Sequence, residues 1–232
     1  MISILESTIK DDTLLRKAID LSAGAYEDLE SEPPVGTDSF CGENCDGYVV
    51  VRTDANRISI AFRGTESYVD WIINMTRYIK GCDFLSGTGG HAGTLDQYTE
   101  LRTRILAFVD TSMHAGIRDI LITGHSLGGA LSTLCAADLA TQFPMLQVVC
   151  YPLNSPRVGN RQFVHRIGQL SNLSITRVQT QHDIVSCLPY FGFVHTPVQA
   201  ILTVSWQRHG IRFFHVRARH SMKTIQMVFG KL

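Results

Sequence analysis

Hydrophobic residues recur along the chain at two spacings, one helical and one extended. Over residues 13–29 the apolar positions repeat at helical spacing, which predicts a helix with one buried face. The β-like runs at 48–53 and 57–62 are separated by a short segment that favours a hairpin turn. Residues 32–47, rich in Pro and Gly, are interpreted as turns. The first part of the chain is therefore expected to form a helix and a hairpin.

Beyond residue 95, helix-like and strand-like segments alternate. The short runs are continuously apolar, as expected for strands that are buried on both faces. The predicted elements are helices over 95–112, 127–143 and 161–170, strands over 119–123, 147–151, 174–180, 198–207 and 212–217, and a helix from His220. The alternation predicts one α/β domain over residues 1–232, with a mainly parallel sheet and helices on both of its faces.

Composition restricts the partners. The 21 Lys plus Arg residues balance 21 Asp plus Glu residues, whereas nucleic-acid-binding domains usually carry a strongly basic face, so no nucleic-acid partner is expected. Asp183 is the last carboxylate, and the chain beyond it is basic. This distribution is compatible with transient binding at an anionic lipid surface, and ordinary solvent-facing strand and helix positions account for it as well.

The N-terminus, the hydrophobic runs and the cysteines lead to three expectations. Residues 1–10 lack the basic segment and apolar run of a secretion signal, and no stretch reaches the roughly 20 apolar residues of a membrane span. Cys41 and Cys45 form the one close cysteine pair, without a second pair at zinc-site spacing. We therefore expect no metal, no transmembrane segment and a cytoplasmic location, at most peripheral to a membrane or lipid surface.

The segment around Ser126 carries the strongest chemical signal. A predicted buried strand runs into Gly124-His125-Ser126-Leu127-Gly128, and an apolar helix follows. This strand, Gly-x-Ser-x-Gly, helix order is typical of a nucleophile elbow, which exposes the serine hydroxyl at a helix N-terminus. Ser126 is the predicted nucleophile. His125 is adjacent and cannot turn back to serve it as a base, so it is interpreted as a packing residue.

The acid of a Ser-acid-His triad follows the nucleophile in this chain order. Downstream of Ser126 the sequence contains two carboxylates, Asp138 and Asp183. Asp138 lies 12 residues further along the same predicted helix, about 18 Å away at 1.5 Å per residue. Asp183, which follows a predicted strand, is therefore the expected acid.

Four histidines remain as candidates for the base: His195, His209, His215 and His220. His220 is favoured because it lies between a strand and an amphipathic segment, from which it can reach the carboxyl edge of the sheet. His215 falls within an alternating strand and His209 within a turn. His195 is close to Asp183 in sequence and stays an alternative, as the base or as a supporting neighbour.

Two donors are needed to stabilise the oxyanion of the tetrahedral intermediate. The amide of Leu127, the residue after the nucleophile, is the first expected donor. The strand at 57–62 leads into Gly64 and Thr65, and Thr65 is expected to offer its amide, with its hydroxyl supporting the geometry.

Together these residues resemble the fungal-type class 3 lipases, a family that includes triacylglycerol lipases, diacylglycerol lipases and related phospholipases. The motifs that carry the resemblance are residues 62–65, 70–74, 124–130, 156–160, 183–189 and 220–222. The sequence departs from the family at Asn154, where Gly is frequent, and at Ile225, where Tyr is frequent. The resemblance implies the α/β-hydrolase fold.

The resemblance also implies a lid over the acyl-binding groove, between Tyr68 and about residue 78. Tyr68, Trp71, Ile72 and Met75 are the candidate substrate-contacting residues of this segment. An ordinary packed helix is an equally open interpretation.

The implied function is a serine carboxylic-ester hydrolase that cleaves acyl esters of glycerolipids through an acyl-enzyme intermediate and without a cofactor. Mono- and diacylglycerols are the preferred substrate class. A phospholipase A1-type activity, a short-chain esterase and a non-catalytic lipase-like binding module are the alternatives.

Overall fold

A computed structural model describes residues 12–27, 37–41, 48–54, 56–64, 78–180, 183–196, 201–204 and 220–229. The helices are α1 (Asp12–Glu27), α2 (Ala92–His114), α3 (Leu127–Gln142), α4 (Arg161–Ile167) and α5 (Met222–Phe229). The strands are β1 (Thr37–Cys41), β2 (Tyr48–Asp54), β3 (Arg57–Phe62), β4 (Ile79–Gly81), β5 (Gly89–His91), β6 (Asp119–His125), β7 (Gln147–Leu153), β8 (Leu173–Ile175), β9 (Arg177–Thr180) and β10 (Ile201–Val204).

The main sheet has the strand order β1-β2-β3-β6-β7-β9-β10, with β8 paired to β7. From β3 to β10 the pairings are parallel, whereas β1, β2 and β3 are antiparallel. The predicted mainly parallel sheet and the predicted β2–β3 hairpin are confirmed. All carboxyl ends of the parallel strands meet at one edge, where loops can bring distant side chains together.

Side-chain alternation along β6 divides the core between the two faces of the sheet, because successive strand residues point in opposite directions. Ile120 and Ile122 pack with α2 and α3, and Leu121 packs with α1 and α5. Helices therefore cover both faces, as predicted. Helix α3 is buried from Leu127 through Ala140, so it is enclosed between the sheet and α2.

Helices α2 and α3 are joined by a buried carboxylate. Asp138 on α3, which is fully buried, accepts hydrogen bonds from Arg102 Nε at 2.7 Å and Nη2 at 3.0 Å, and from the Tyr98 hydroxyl at 2.7 Å. Asp138, which is too far along the helix to serve Ser126, thus stabilises the packing of α2 against α3.

Two parts of the sequence interpretation were wrong in detail. Strand β1 lies within the segment interpreted as turns. The strand predicted over 174–180 is two strands, since β8 pairs with the beginning of β7 whereas β9 pairs with β10. The predicted strand at 212–217 lies outside the described residues. In the part of the chain that is described, no helix is long and apolar enough to cross a membrane.

Candidate active site

Ser126 lies between β6 and α3 with φ 59° and ψ −123°, a left-handed conformation that non-glycine residues rarely adopt. The glycines two residues away on each side make this turn possible. A Cβ on Gly124 would lie 2.3 Å from the Gly128 carbonyl oxygen, and one on Gly128 would lie 2.2 Å from the Phe62 carbonyl oxygen. The elbow therefore requires glycine at both positions because neighbouring backbone occupies the space of a side chain.

The backbone around Ser126 is fixed on both sides. Its amide donates to the Leu153 carbonyl at 3.0 Å, and its carbonyl accepts from the Gly129 amide at 2.9 Å. The amide of Leu127 is the first of α3, and the first-turn amides of a helix have no acceptor within that helix. This geometry is suitable for an oxyanion donor, the role predicted for Leu127.

Asp183 and His220 are in direct contact, although they are 37 residues apart in sequence. His220 Nδ1–H donates to Asp183 Oδ2 at 2.8 Å, and both side chains are almost fully buried. The Val185 amide donates to Asp183 Oδ1 at 3.0 Å, and the Ser186 hydroxyl donates to Oδ2 at 3.1 Å. The carboxylate is therefore held from several directions, with one oxygen facing the imidazole.

His195 has a different partner. Its Nε2–H donates to the Ser186 carbonyl oxygen. Burial, reinforced by the positive charges of Arg177 and Arg157, lowers the pKa of His195 from 6.5 to about 4. His195 is thus linked to Asp183 through Ser186, and its imidazole stays neutral at neutral pH. Its geometry supports the interpretation as a neighbour of the site, and Asp183 contacts His220 instead.

His125 packs beside the candidate base, in agreement with its interpretation as a packing residue. The centroid of its ring lies 4.7 Å from that of His220, and its Nδ1 shares a hydrogen bond of 3.1 Å with the Tyr26 hydroxyl. Burial and the neighbouring His220 hold the pKa of His125 well below 6.5. Sequence reasoning missed Tyr26 because it lies 99 residues from His125 and belongs to no motif.

The end of β3 adjoins Ser126. A Cβ on Gly64 would lie 3.4 Å from the Ser126 Cβ and 2.6 Å from the His125 carbonyl oxygen. Thr65, the next residue, lies outside the described residues, as do the candidate lid residues Tyr68, Trp71, Ile72 and Met75. The second oxyanion donor and the lid therefore stay predictions.

A metal centre has no candidate in the described ranges, where no group of three or more His, Cys, Asp or Glu side chains is arranged to hold an ion. The expectation that the chemistry needs no metal or cofactor stays a prediction, based on the predicted triad.

Comparison with known proteins matches residues 59–193 to the class 3 lipase family. The chain is 34% identical over 191 residues to secreted mono- and diacylglycerol lipase 1 of Fusarium solani, covering 80% of this chain and 56% of the relative. It is 35% identical over 154 residues to a lipase of Rhizomucor miehei, covering 63% and 42%. The chain thus spans about half the length of these curated relatives.

A solved triacylglycerol lipase, whose catalytic centre is formed by a serine protease triad, has the same fold. It superimposes with a TM-score of 0.71 at 29% identity, over 82% of this chain and 79% of the other. The predicted α/β-hydrolase fold is confirmed.

The expected cytoplasmic location is contradicted by the Fusarium solani relative, which is a secreted protein. That expectation rested on the absence of a secretion-signal pattern in residues 1–10. Ten residues of one sequence do not determine the compartment, and the expectation was wrong.

The family match includes the end of β3, the elbow at Ser126 and the segment that carries Asp183. It covers more than half of the chain, and the Fusarium solani relative aligns over most of it. The sequence resemblance and the observed sheet lead to the same assignment. The chain belongs to the class 3 lipase family.

Proposed function

We propose that this protein is a serine carboxylic-ester hydrolase that cleaves acyl esters of glycerolipids. The observation that carries the proposal is the 2.8 Å contact between His220 Nδ1 and Asp183 Oδ2, in a chain whose Ser126 has the strained elbow conformation. A buried Asp bound to Nδ1 holds an imidazole in the tautomer whose Nε2 accepts a proton. The Asp-His pair and the elbow serine are the elements of a nucleophilic triad.

The reaction proceeds by double displacement. His220 Nε2 takes the proton from Ser126 Oγ as the oxygen attacks the ester carbonyl, and the carbonyl π bond becomes an oxyanion. The Leu127 amide and Thr65 stabilise that charge. The oxyanion collapses, the C–O bond to the glycerol oxygen breaks, and His220 gives its proton to the leaving alkoxide. Water then repeats the sequence on the acyl-enzyme, which releases the fatty acid and free Ser126.

Mono- and diacylglycerols are the proposed substrates, and contact with a lipid surface is part of the proposal. The Fusarium solani relative is a mono- and diacylglycerol lipase. Large apolar side chains are also exposed on segments near the candidate site. We name them the apolar rim; they are Tyr78, Ile79, Ile184, Tyr190 and Phe191.

Strand β4 and the segment around Phe191 are neighbours. A Cβ on Gly192 would lie 3.0 Å from Ile79 Cδ1, so the residue after Phe191 adjoins β4. The Arg157 guanidinium lies 5.5 Å above the Tyr190 ring, which keeps a positive charge beside the rim. Exposed apolar groups with adjacent cations favour a lipid interface.

The proposal is tested by hydrolysis of dispersed diacylglycerol, phosphatidylcholine and a water-soluble p-nitrophenyl ester. Ser126→Ala and His220→Ala should each lower turnover by on the order of a millionfold, as in a serine protease. His195→Gln should lower turnover far less. Covalent labelling of Ser126 by a fluorophosphonate reports the nucleophile independently of substrate choice. A wild-type protein that is neither labelled nor active on any ester would be a non-catalytic module, and preferential hydrolysis of phosphatidylcholine would make it a phospholipase.

A further inference from the structure

His125 is held rigidly beside the candidate base. It is the last residue of β6, where its backbone pairs with Leu153 on β7, and the residue is 5% exposed. The Tyr26 hydroxyl binds its Nδ1 at 3.1 Å, and the two rings meet at a 62° angle with centroids 6.1 Å apart. The ring therefore has a fixed place and a fixed orientation.

The face of this ring lies against His220. The two imidazole centroids are 4.7 Å apart, with 39° between the ring planes. The hydrogen bond from Nδ1 to Asp183 fixes one atom of the His220 ring and leaves rotation about that point. A rigid ring packed on one face restricts this rotation, so the direction in which Nε2 points is determined by both contacts.

We propose that Tyr26 and His125 form a positioning pair, which holds the His220 imidazole in the orientation that serves Ser126. The inference rests on the proposed function, since it assigns His220 the role of base. Neither residue of the pair touches the reacting atoms. Both act through His220.

The charge state of His125 is compatible with this role. His220 becomes an imidazolium during each displacement, and a second cation packed on its face would oppose that step. Burial keeps the pKa of His125 well below 6.5, so its ring is neutral when the enzyme works. Among the residues that the structure describes, the charged or titratable groups near the pair include His220, Asp183 beyond it, and Arg63, whose guanidinium lies 5.7 Å from the Tyr26 ring centre.

Helix α1 connects the pair to the other end of the chain. Tyr26 lies near its C-terminal end, and Ser22, one turn earlier, donates to the Met222 sulfur on α5 at 3.9 Å. Leu15 and Ile19 share a buried cluster with Ile225, also on α5. The same helix thus contacts the residue before the nucleophile and the helix that follows the base.

The test uses the whole chain and a water-soluble p-nitrophenyl ester, so that binding to a lipid surface does not affect the measured kcat and KM. His125→Ala removes the packed ring and should lower kcat by about a hundredfold, the cost of a misplacement of roughly 1 Å, with KM nearly unchanged. His125→Phe restores a neutral ring and should recover most of kcat. Tyr26→Phe should lower kcat by a smaller factor. His165→Ala, on an exposed turn of α4, is the control and should behave as wild type.

A second readout does not depend on turnover. The proton shared between His220 Nδ1 and Asp183 gives a downfield ¹H NMR signal when the ring is held in place. It should be sharp in the wild type and in His125→Phe, and broadened in His125→Ala. If the wild type were inactive on all esters while this pattern appeared, the proposed function would fail and the positioning pair would stand.

The pair is refuted if His125→Ala keeps kcat within about twofold of wild type. It is equally refuted if kcat falls, His125→Phe fails to restore it and the NMR signal is unchanged. Should His125→Ala fail to fold, His125→Phe and Tyr26→Phe decide the matter. A Tyr26→Phe protein with wild-type kcat and a sharp signal would remove Tyr26 from the pair.

Discussion

Ser126 and Asn154 both have positive φ angles, 59° and 46°. At Ser126 this conformation turns the chain from β6 into α3. At Asn154 it turns the chain out of β7, and the buried side chain Oδ1 accepts a hydrogen bond from the Thr180 amide at 2.8 Å. Asn occupies the left-handed region more readily than most L-residues. Asn154 therefore adopts the backbone conformation that favours Gly, the residue for which it stands in the resemblance to the family. Its side chain adds a hydrogen bond between the end of β7 and β9.

Asn154→Gly is expected to destabilise the protein although glycine suits the backbone. The Thr180 amide loses a buried acceptor, which costs about 1–3 kcal/mol. Urea unfolding of Asn154→Gly and Asn154→Asp measures the effect, since Asp keeps an acceptor oxygen at the same place. Equal stability of the Gly variant and the wild type would show that the hydrogen bond contributes nothing.

His195 should make the protein sensitive to acid. Its pKa is lowered from 6.5 to about 4 in the folded state, so the unfolded chain binds a proton more readily. Stability is therefore complete above about pH 6.5 and declines as the pH falls towards 4, by roughly 3 kcal/mol at 1.36 kcal/mol per pH unit. His125 adds a decline of the same sign.

Unfolding free energies of wild type and His195→Gln, measured between pH 7 and pH 4, test this. The variant should lose less stability than the wild type over that range, because it has no group to protonate at this position. Parallel curves would mean that His195 titrates normally in the folded protein.

At the scale of helices and strands, hydrophobic pattern predicted most of the sheet. Strands β6 and β7 and helix α3 are rich in apolar residues, and their predicted bounds agree with the structure to within a few residues. Strand β1 was missed because its five residues, Thr37 to Cys41, lie in a Pro- and Gly-rich segment and are fixed by pairing with β2. Pairing across the chain does not appear in a local pattern.

The candidate site likewise contains residues that the sequence predicted and residues that it did not. The elbow motif led to Ser126, chain order and the scarcity of carboxylates led to Asp183, and the position between a strand and an amphipathic segment favoured His220. The structure brings the last two into contact. The supporting contacts of Ser186 and Tyr26 were not predicted, since neither residue type nor local spacing distinguishes them from ordinary surface or core positions. Their roles depend on which distant segments the fold places together.

The buried carboxylate between α2 and α3 gives a prediction at this scale. Asp138→Asn removes the charge that Arg102 and the Tyr98 hydroxyl bind. Breaking a buried ion pair costs about 3–5 kcal/mol, and the partial exposure of Arg102 places the expected loss towards 2–3 kcal/mol.

Urea unfolding should show this loss, with kcat of the folded variant unchanged. Asp110→Asn, on the exposed side of α2, is the matched control and should have little effect on stability. A large fall in kcat for folded Asp138→Asn would mean that the ion pair between Asp138 and Arg102 also affects the geometry of the candidate active site.

At the scale of the whole molecule, a large apolar side chain is exposed at each end of the parallel strands. Phe191 and Met145 are each 70% exposed. Phe191 belongs to the apolar rim at the carboxyl edge, and Met145 precedes β7 at the opposite edge. If the rim contacts lipid, Phe191→Ser should lower activity on dispersed diacylglycerol by about tenfold, in proportion to the apolar area lost, and should leave activity on a soluble ester unchanged.

Met145→Ser should change neither the activity on dispersed diacylglycerol nor that on the soluble ester, because it removes a similar apolar group from the edge opposite the apolar rim. Vesicle sedimentation measures binding directly and should fall for Phe191→Ser alone. Equal effects of the two substitutions would argue against a preferred lipid-facing edge.

Helix α1 lies outside the residues that match the family, which begin at residue 59. His220 and α5 lie beyond residue 193, where that match ends. Nevertheless α1 packs on the same face of the sheet as α5 and contacts His125, the residue before Ser126. The stretch that matches the family model is therefore shorter than the stretch that the proposed chemistry requires. If Tyr26 positions His220 as proposed, a protease that cuts the chain between α1 and β1 and releases the helix would abolish the proposed activity, although Ser126, Asp183 and His220 would all stay in the chain.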